Sequence, residues 1–411
     1  MRQQRLKLFD DIGTDFVGPR GYSEPCFTYL NRSGRPAAHR IRSLLERWFE
    51  EFPESGKKEL WRRFRSSNDQ EHLSAFFELY CHALVRAQGH VAVYHPSGRT
   101  ENSAQPDFLV KADGEPRFYM ECTLAADPSF DAGEKARLNR LIDELNDKLE
   151  SPNFFVHIFV DTMGKSSAPS SKIGRFLERE LTKFDPDVVA EEARKLGWKA
   201  WPCLLWSAAG WALEFYLIPK SPEARERKDL RPIGGMSSGL ERVDSRRPLL
   251  NALKSKSTRY GQLGLPFIIA INSLELTLTD RDIAQALFGT LWFLIDPDSD
   301  RPIRAPDGFW LGPKGPQNRR VSAVLIAADL TPWTNAERSP VLWHNPYATN
   351  PLGPELWKGP QMIPNPETHS MEPQKGREAF SLLGLSPSWP TESVQSWNVG
   401  GGGINGDHRA T

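Results

Sequence analysis

From residue 36 the chain becomes periodic. Ile41, Leu44, Leu45, Trp48, Phe49 and Phe52 fall at i, i+3, i+4, i+7, i+8 and i+11, which predicts an amphipathic helix over 36–52. Residues 1–35 before it are weakly periodic and broken by Gly and Pro, and read as an irregular arm. A basic piece, KKELWRRFR (57–65), follows, with Trp61 and Phe64 interleaved. The next helix is SSNDQEHLSAFFELYCHALVRAQG. Ser67 or Asn68 can cap it, acids fill its first turn and Gly89 stops it. Three strands are predicted after it: HVAVYH (90–95), PDFLVK (106–111) and RFYMECT (117–123). The last two are joined by the turn signal Ala112-Asp113-Gly114. A helix over 134–150 carries Leu138, Leu141, Ile142, Leu145 and Leu149 on one stripe. FFVHIFV (154–160) is an apolar run of buried-strand length.

Further on, helices are expected at 171–183 and 186–196, and strands near 203–207 and 211–218. A gap rich in Arg, Gly and Ser (221–247) reads as a loop. A basic helix over 248–260, the strand PFIIAIN (266–272), a short helix ending in LFG (287–289) and the strand VSAVLIA (321–327) follow. Residues 331–375, dense in Pro and Trp, read as a surface wrap, and the tail GGGINGDHRAT as disordered. Strands alternating with helices give an α/β architecture with a mixed sheet. Four segments are expected: an arm with basic helices over 1–66, a core over 67–165, an α/β extension packed on that core over 166–330, and the wrap and tail over 331–411.

Composition narrows the function classes. The 411 residues are 39% apolar and 25% charged, an ordinary globular balance, and no stretch approaches the ~20 apolar residues of a membrane span. The first residues, MRQQRLKLFDDIG, lack the apolar core of a secretory signal. Four widely spaced cysteines without a CxxC argue against a disulfide framework or zinc knuckle and fit a reducing, cytoplasmic setting. With 52 Lys and Arg against 52 Asp and Glu, any nucleic-acid binding must come from local patches.

The candidate chemistry begins in LSAFFELYCHALV (73–85), apolar or small almost all round. Ser74, Glu78 and His82, spaced four apart, form its polar stripe. A carboxylate there is costly unless paired or bound to a metal, and a Glu78–His82 pair is the structural way to satisfy it. The hairpin supplies two more carboxylates. Asp107, Leu109 and Lys111 share a face of one strand; Tyr119, Glu121 and Thr123 share a face of the other, with Phe118, Met120 and Cys122 opposite. A two-residue Asp-Gly turn would pair Ala112 with Glu115 and separate Asp107 from Glu121. A three-residue loop with a bulge would bring Asp107, Lys111, Glu121 and Thr123 to one face. The sequence leaves both registers open. Two carboxylates on one face with a third from a helix are hard oxygen ligands, suited to Mg²⁺, Mn²⁺ or Ca²⁺, and such a metal can activate water against phosphorus.

A helix with Glu78 in FFELY, then Pro106-Asp107 in QPDFLV, then Glu121-Cys122-Thr123 in FYMECTLA, in that order, resembles the PD-(D/E)XK nuclease superfamily over about residues 70–160. The resemblance implies a restriction-endonuclease-like core of helix, three strands, helix and strand. It implies a divalent metal held by Asp107 and Glu121 with the Cys122 carbonyl, and help from Glu78. It also implies metal-dependent hydrolysis of nucleic acid. The motif lysine, which orients water and stabilises charge on phosphorus, is Thr123 here. Lys111, on strand parity, or Lys135, at the start of the following helix, are its candidate replacements. The alternative function is a catalytically degenerate module that holds nucleic acid or a protein in a bacterial defence or regulatory system. LKSKSTRYGQLGLPFIIAIN and FWLGPKGPQNRRVSAVLIA resemble stretches of a bacterial family without an assigned activity.

Two basic stretches are candidates for phosphate contacts: Lys57, Lys58, Arg62, Arg63 and Arg65 in the first, Lys254, Lys256 and Arg259 in the second. Each also reads as a solvated helix face or a helix end with cations at the favourable pole. Cys122, in an apolar set, reads as core. There is no P-loop (GxxxxGK[ST]) and no HExxH. Oligomeric state and the choice between DNA and RNA have no signal.

Overall fold

The computed structural model describes residues 6–96, 105–126, 132–225, 227, 229–238, 245–261, 263–275, 278–293, 302–368 and 370–391. The expected tail at 401–411 lies outside them. In chain order the elements are α1 (Cys26–Arg32), α2 (Pro36–Glu51), α3 (Glu54–Phe64), α4 (Asp69–Ala87), β1 (Val91–Tyr94), β2 (Phe108–Ala112), β3 (Glu115–Ala125), α5 (Ala132–Lys148), β4 (Phe154–Thr162), α6 (Ser170–Leu181), α7 (Pro186–Leu196), β5 (Cys203–Ala208), β6 (Trp211–Pro219), α8 (Pro222–Arg225), β7 (Ile233–Ser238), α9 (Arg246–Ser257), β8 (Phe267–Ser273), α10 (Asp280–Phe288), β9 (Leu291–Phe293), β10 (Pro302–Arg304), β11 (Leu311–Gly312), β12 (Gly315–Pro316), β13 (Ala323–Ala328), β14 (Val341–His344), β15 (Gln361–Asn365), β16 (Ser370–Gln374) and α11 (Ala379–Leu382).

The protein is α/β. A mixed eight-stranded sheet runs β1-β2-β3-β8-β13-β14-β15-β16, and a separate four-stranded sheet runs β5-β6-β4-β7. Side-chain alternation gives the large sheet two buried faces. Phe108, Val110, Phe118, Met120 and Cys122 pack with Phe76, Leu79 and Tyr80 of α4. Leu109, Tyr119, Ile269 and Ile271 pack with Leu249 and Leu253 of α9 and with α10. Strands covered on both sides read as continuous apolar runs, which is why FIIAI and AVLIA carry no alternation. Asn68 caps α4, accepting from the amides of Gln70 and Glu71, and Gly89 follows the helix at a positive φ of 90°.

Two expectations are corrected by the topology. The helix over 134–150 and the strand over 154–160, expected to complete the first core, belong to the second sheet, whose own core holds Leu141, Ile142, Leu145, Val156, Ile158 and Phe215. Their place beside β3 is taken by α9 and β8, and β8 pairs with β3 in parallel, Glu121 opposite Ile269. The segment α5–β7 is thus inserted between β3 and its crossover helix. Secondly, the Pro- and Trp-rich stretch is more than a wrap: β14, β15 and β16 extend the large sheet. The expected loop at 221–247 likewise contributes α8 and β7.

The hairpin takes a register neither simple turn would give. Asp113 and Gly114, both at positive φ (54° and 82°), form a two-residue turn that pairs Ala112 with Glu115. That turn alone would set Asp107 and Glu121 on opposite faces. The ladder then shifts: Lys111 faces Pro116 but Val110 faces Phe118, so Arg117 is an extra residue on β3. Pro116 has no N–H to offer the ladder, and the bulge falls beside it. Beyond it Phe108 faces Met120, and extending this register sets Asp107 against Glu121.

Candidate active site

Asp107, just before β2, stands between Glu121 of β3 and Glu78 of α4, and its charge acts on both. Glu121 points from β3 to the α9 face and is 2% exposed. Its Oε1 accepts from Lys256 Nζ at 2.6 Å, with Arg259 Nη1 3.6 Å away. Its Oε2 accepts from the Tyr260 hydroxyl at 2.5 Å and from the Asp107 amide at 3.3 Å. Asp107 bends the other way, its Oδ2 accepting from the Cys122 amide at 2.7 Å. Its Oδ1 lies 3.8 Å from His95 Nε2, beyond hydrogen-bond distance, and this carboxylate draws the His95 pKa up. Glu78 approaches from α4 on the opposite face. Arg63 Nη2 of α3 donates to its Oε2 at 2.5 Å, while Oε1 is buried without a hydrogen-bond partner.

Burial and the neighbouring charge of Asp107 shape the electrostatics. Desolvation, then Asp107, pushes Glu78 up to about 7 against the pull of Arg63. The same two causes raise Glu121, opposed by Lys256 and Tyr260. Cys122 lies beneath, on the α4 face; burial, with Cys81 as the next cause, holds its thiol pKa well above the ordinary range. Cys122 is therefore core, as its alternation implies.

The structure brings together Glu78, Asp107, Glu121 and Cys122. It brings neither candidate replacement lysine to them. Lys111 lies four residues along β2 from Asp107, roughly 13 Å at strand rise. Lys135, on α5, lies instead near Cys26, whose thiol burial pushes up to about 12, the Lys135 charge being the weakest of the opposing pulls. Thr123 stands on the Glu121 face opposite Ile271, without an amine to offer. The lysine beside Glu121 is Lys256, expected only as a phosphate contact. His82 does not pair with Glu78: its ring packs between Phe52 and Phe108, at centroid distances of 5.0 and 5.9 Å, and burial pushes its pKa down to about 4.

The first basic stretch is largely turned inward. Arg63 binds Glu78; Arg65 donates to the Leu8 carbonyl and Asp10; Lys57 pairs with Glu54 at 2.9 Å. Lys58 and Arg62 remain exposed, as do Lys254 and Arg259. Residues that sequence reasoning missed are Tyr260, His95 and the role of Arg63. A signal exists for Tyr260 and for Arg63. Lys256 and Tyr260 continue the buried stripe of Leu249 and Leu253, and Arg63 continues that of Gly56 and Leu60.

By chemistry, the carboxylates of Asp107, Glu121 and Glu78, the last with a buried and unpartnered Oε1, are the hard oxygen donors a divalent cation takes. Among the described residues, no three His, Cys, Asp or Glu stand close enough to hold one as they are. No family model matches the chain, and neither a curated protein nor a solved structure does. Among the described residues no helix is long and apolar enough to cross a membrane.

Proposed function

We propose that this protein hydrolyses phosphodiester bonds of nucleic acid with a divalent metal, as a PD-(D/E)XK-like nuclease whose lysine comes from the crossover helix. The observation that carries this reading is Lys256 Nζ, 2.6 Å from Glu121 on the face where the motif offers only Thr123. The element order supports it too. A helix bearing Glu78, three antiparallel strands, a crossover helix and a parallel strand surround the carboxylates once α5–β7 is read as an insertion.

In this reading Asp107, Glu121 and the Cys122 carbonyl would hold Mg²⁺ or Mn²⁺, with Glu78 holding a second ion or a water. When bound, the metal acidifies a water and polarises a phosphoryl oxygen. Lys256 and Arg259 stand on the same side of the acidic cluster and supply positive charge where charge grows on the pentacovalent phosphorus. Tyr260 holds the Glu121 carboxylate in one orientation. The exposed cations Lys254, Lys58 and Arg62 are candidate contacts to flanking phosphates.

A second reading, a degenerate module that binds nucleic acid or protein without cutting, is favoured by one observation: every Glu121 oxygen already has a donor. The test is cleavage of end-labelled single- and double-stranded DNA and RNA in Mn²⁺ or Mg²⁺. Asp107→Ala is expected to abolish cutting with the circular dichroism spectrum unchanged, and Lys256→Ala to lower kcat roughly 10²–10³-fold, the usual loss of one charge-stabilising donor. Equal cutting by wild type and Asp107→Ala overturns the nuclease reading. Salt-dependent binding without cutting supports the second.

A further inference from the structure

Glu121 is the most fully engaged carboxylate of the site. Lys256 and Tyr260 each donate to one of its oxygens, at 2.6 and 2.5 Å, the Asp107 amide adds a third bond at 3.3 Å, and the side chain is 2% exposed. Glu78, by contrast, has a buried oxygen with no partner. A carboxylate oxygen surrounded in this way has little room for a second cation in the plane its lysine occupies. Lys256 itself is held less firmly. Its side chain is 19% exposed and belongs to the last turn of α9, and Arg259, 55% exposed, lies beside it facing solvent. Of the groups bonded to Glu121, the lysine is the one with somewhere to go.

We propose that Lys256 is a resident cation of the site, which a divalent metal must displace from Glu121, so that metal loading frees the lysine for a phosphate. This rests on the metal reading above and adds an order of events to it. Without ligand, the ammonium balances Glu121. A metal taking that oxygen sends the ammonium outward, toward the side where Arg259 already stands. A phosphate group arriving there receives both cations. Metal and nucleic acid then favour each other's binding, because each removes a competitor of the other, and the coupling is reciprocal. Tyr260 and the Asp107 amide keep the other Glu121 oxygen in place throughout.

The test is calorimetric titration of Mn²⁺ into the metal-free full chain, without nucleic acid. Lys256→Met is expected to bind Mn²⁺ about tenfold tighter than wild type, the competitor being gone, while Lys256→Arg, which restores a cation, is expected to bind like wild type. A second measurement needs no folded methionine variant. In wild type labelled with [¹³Cε]lysine, the Lys256 signal, assigned by its loss in Lys256→Arg, is expected to shift as Mg²⁺ saturates. Equal Mn²⁺ affinity in wild type and Lys256→Met, or a Lys256 signal that stays fixed while Mg²⁺ binds, overturns the displacement and leaves the nuclease reading standing. No Mn²⁺ binding in wild type or Lys256→Met removes the metal site itself, and both readings fall together.

Discussion

On the α9 face of the large sheet, Glu121 is held by Lys256, Tyr260 and a backbone amide. On the α4 face, Glu78 has Arg63 on one oxygen and nothing on the other. Both side chains are almost wholly buried, at 2% and 3% exposure, and both feel the same Asp107. Their surroundings differ because of where each sits in its element. Glu121 faces the end of a helix, where a turn brings several donors within reach of one strand. Glu78 lies in the middle of α4 among Phe76, Phe77, Leu79 and Tyr80, and among the described residues its hydrogen-bond donor is Arg63 of the neighbouring α3. One carboxylate is therefore clamped by redundant partners, and the other depends on a single guanidinium.

That dependence predicts the largest stability effect at the site. Arg63→Ala leaves Glu78 buried without a counter-charge and is expected to cost about 3–5 kcal/mol at pH 8, the range for a buried pair with one partner removed. Lys256→Met is expected to cost well under half as much, because Tyr260 and the Asp107 amide remain and Arg259 stands 3.6 Å from the freed oxygen. Urea unfolding of the two variants under one set of conditions decides it. Equal losses would mean that the extra donors on Glu121 contribute nothing.

How much of this was legible in the chain depends on the residue. Asp107 and Glu121 are legible as candidates because the order of glutamate helix, Pro-Asp strand and Glu strand is local and unbroken. Their shared face is not legible, since it depends on a bulge at Arg117 that a proline permits but does not announce. The crossover helix was misplaced for a plain reason. The amphipathic helix α5 and the apolar strand β4 follow β3 directly and have the right lengths, and nothing in their pattern says that they form a different sheet. Lys256 shares a stripe with Leu249 and Leu253, yet a lysine near a helix C-terminus has a good electrostatic reason to face water. Strands β14 to β16 are four or five residues long and lie among prolines, too short for an alternation to stand out.

The comparison also has a pH signature. Glu78 titrates at about 7 in the folded protein, against an ordinary value of 4.5, through burial and then Asp107. Between those two pH values the folded state binds more protons at this group than the unfolded chain does. Its contribution to stability is full below about pH 4.5 and is lost as pH rises through 7. The groups facing it are Arg63, Glu59 and Asp107, with Tyr94, His95 and Cys122 also within its field. Stability measured in EDTA across this window is expected to fall more steeply with pH in wild type than in Glu78→Gln, which cannot titrate there. Parallel curves would mean that Glu78 stays ionised throughout, fully compensated by Arg63.

The smallest effect is expected at Tyr260, and it tests the redundancy most directly. Its hydroxyl donates to Glu121 Oε2 at 2.5 Å, and its backbone carbonyl accepts from Arg320 at 2.7 Å, so the residue is held at both its side chain and its main chain. Tyr260→Phe removes only the hydroxyl and keeps the edge-on contact with Phe267, whose ring centroid lies 5.6 Å away. The loss is one hydrogen bond to a charged acceptor, about 1.5–3 kcal/mol at most, reduced here because the Asp107 amide still donates to the same oxygen. A loss near 1 kcal/mol by urea unfolding, well below that of Arg63→Ala, is the expected result. A loss as large as that of Arg63→Ala would show that the Glu121 partners act as one unit, in which removing any member leaves the carboxylate as exposed to cost as Glu78 is without Arg63.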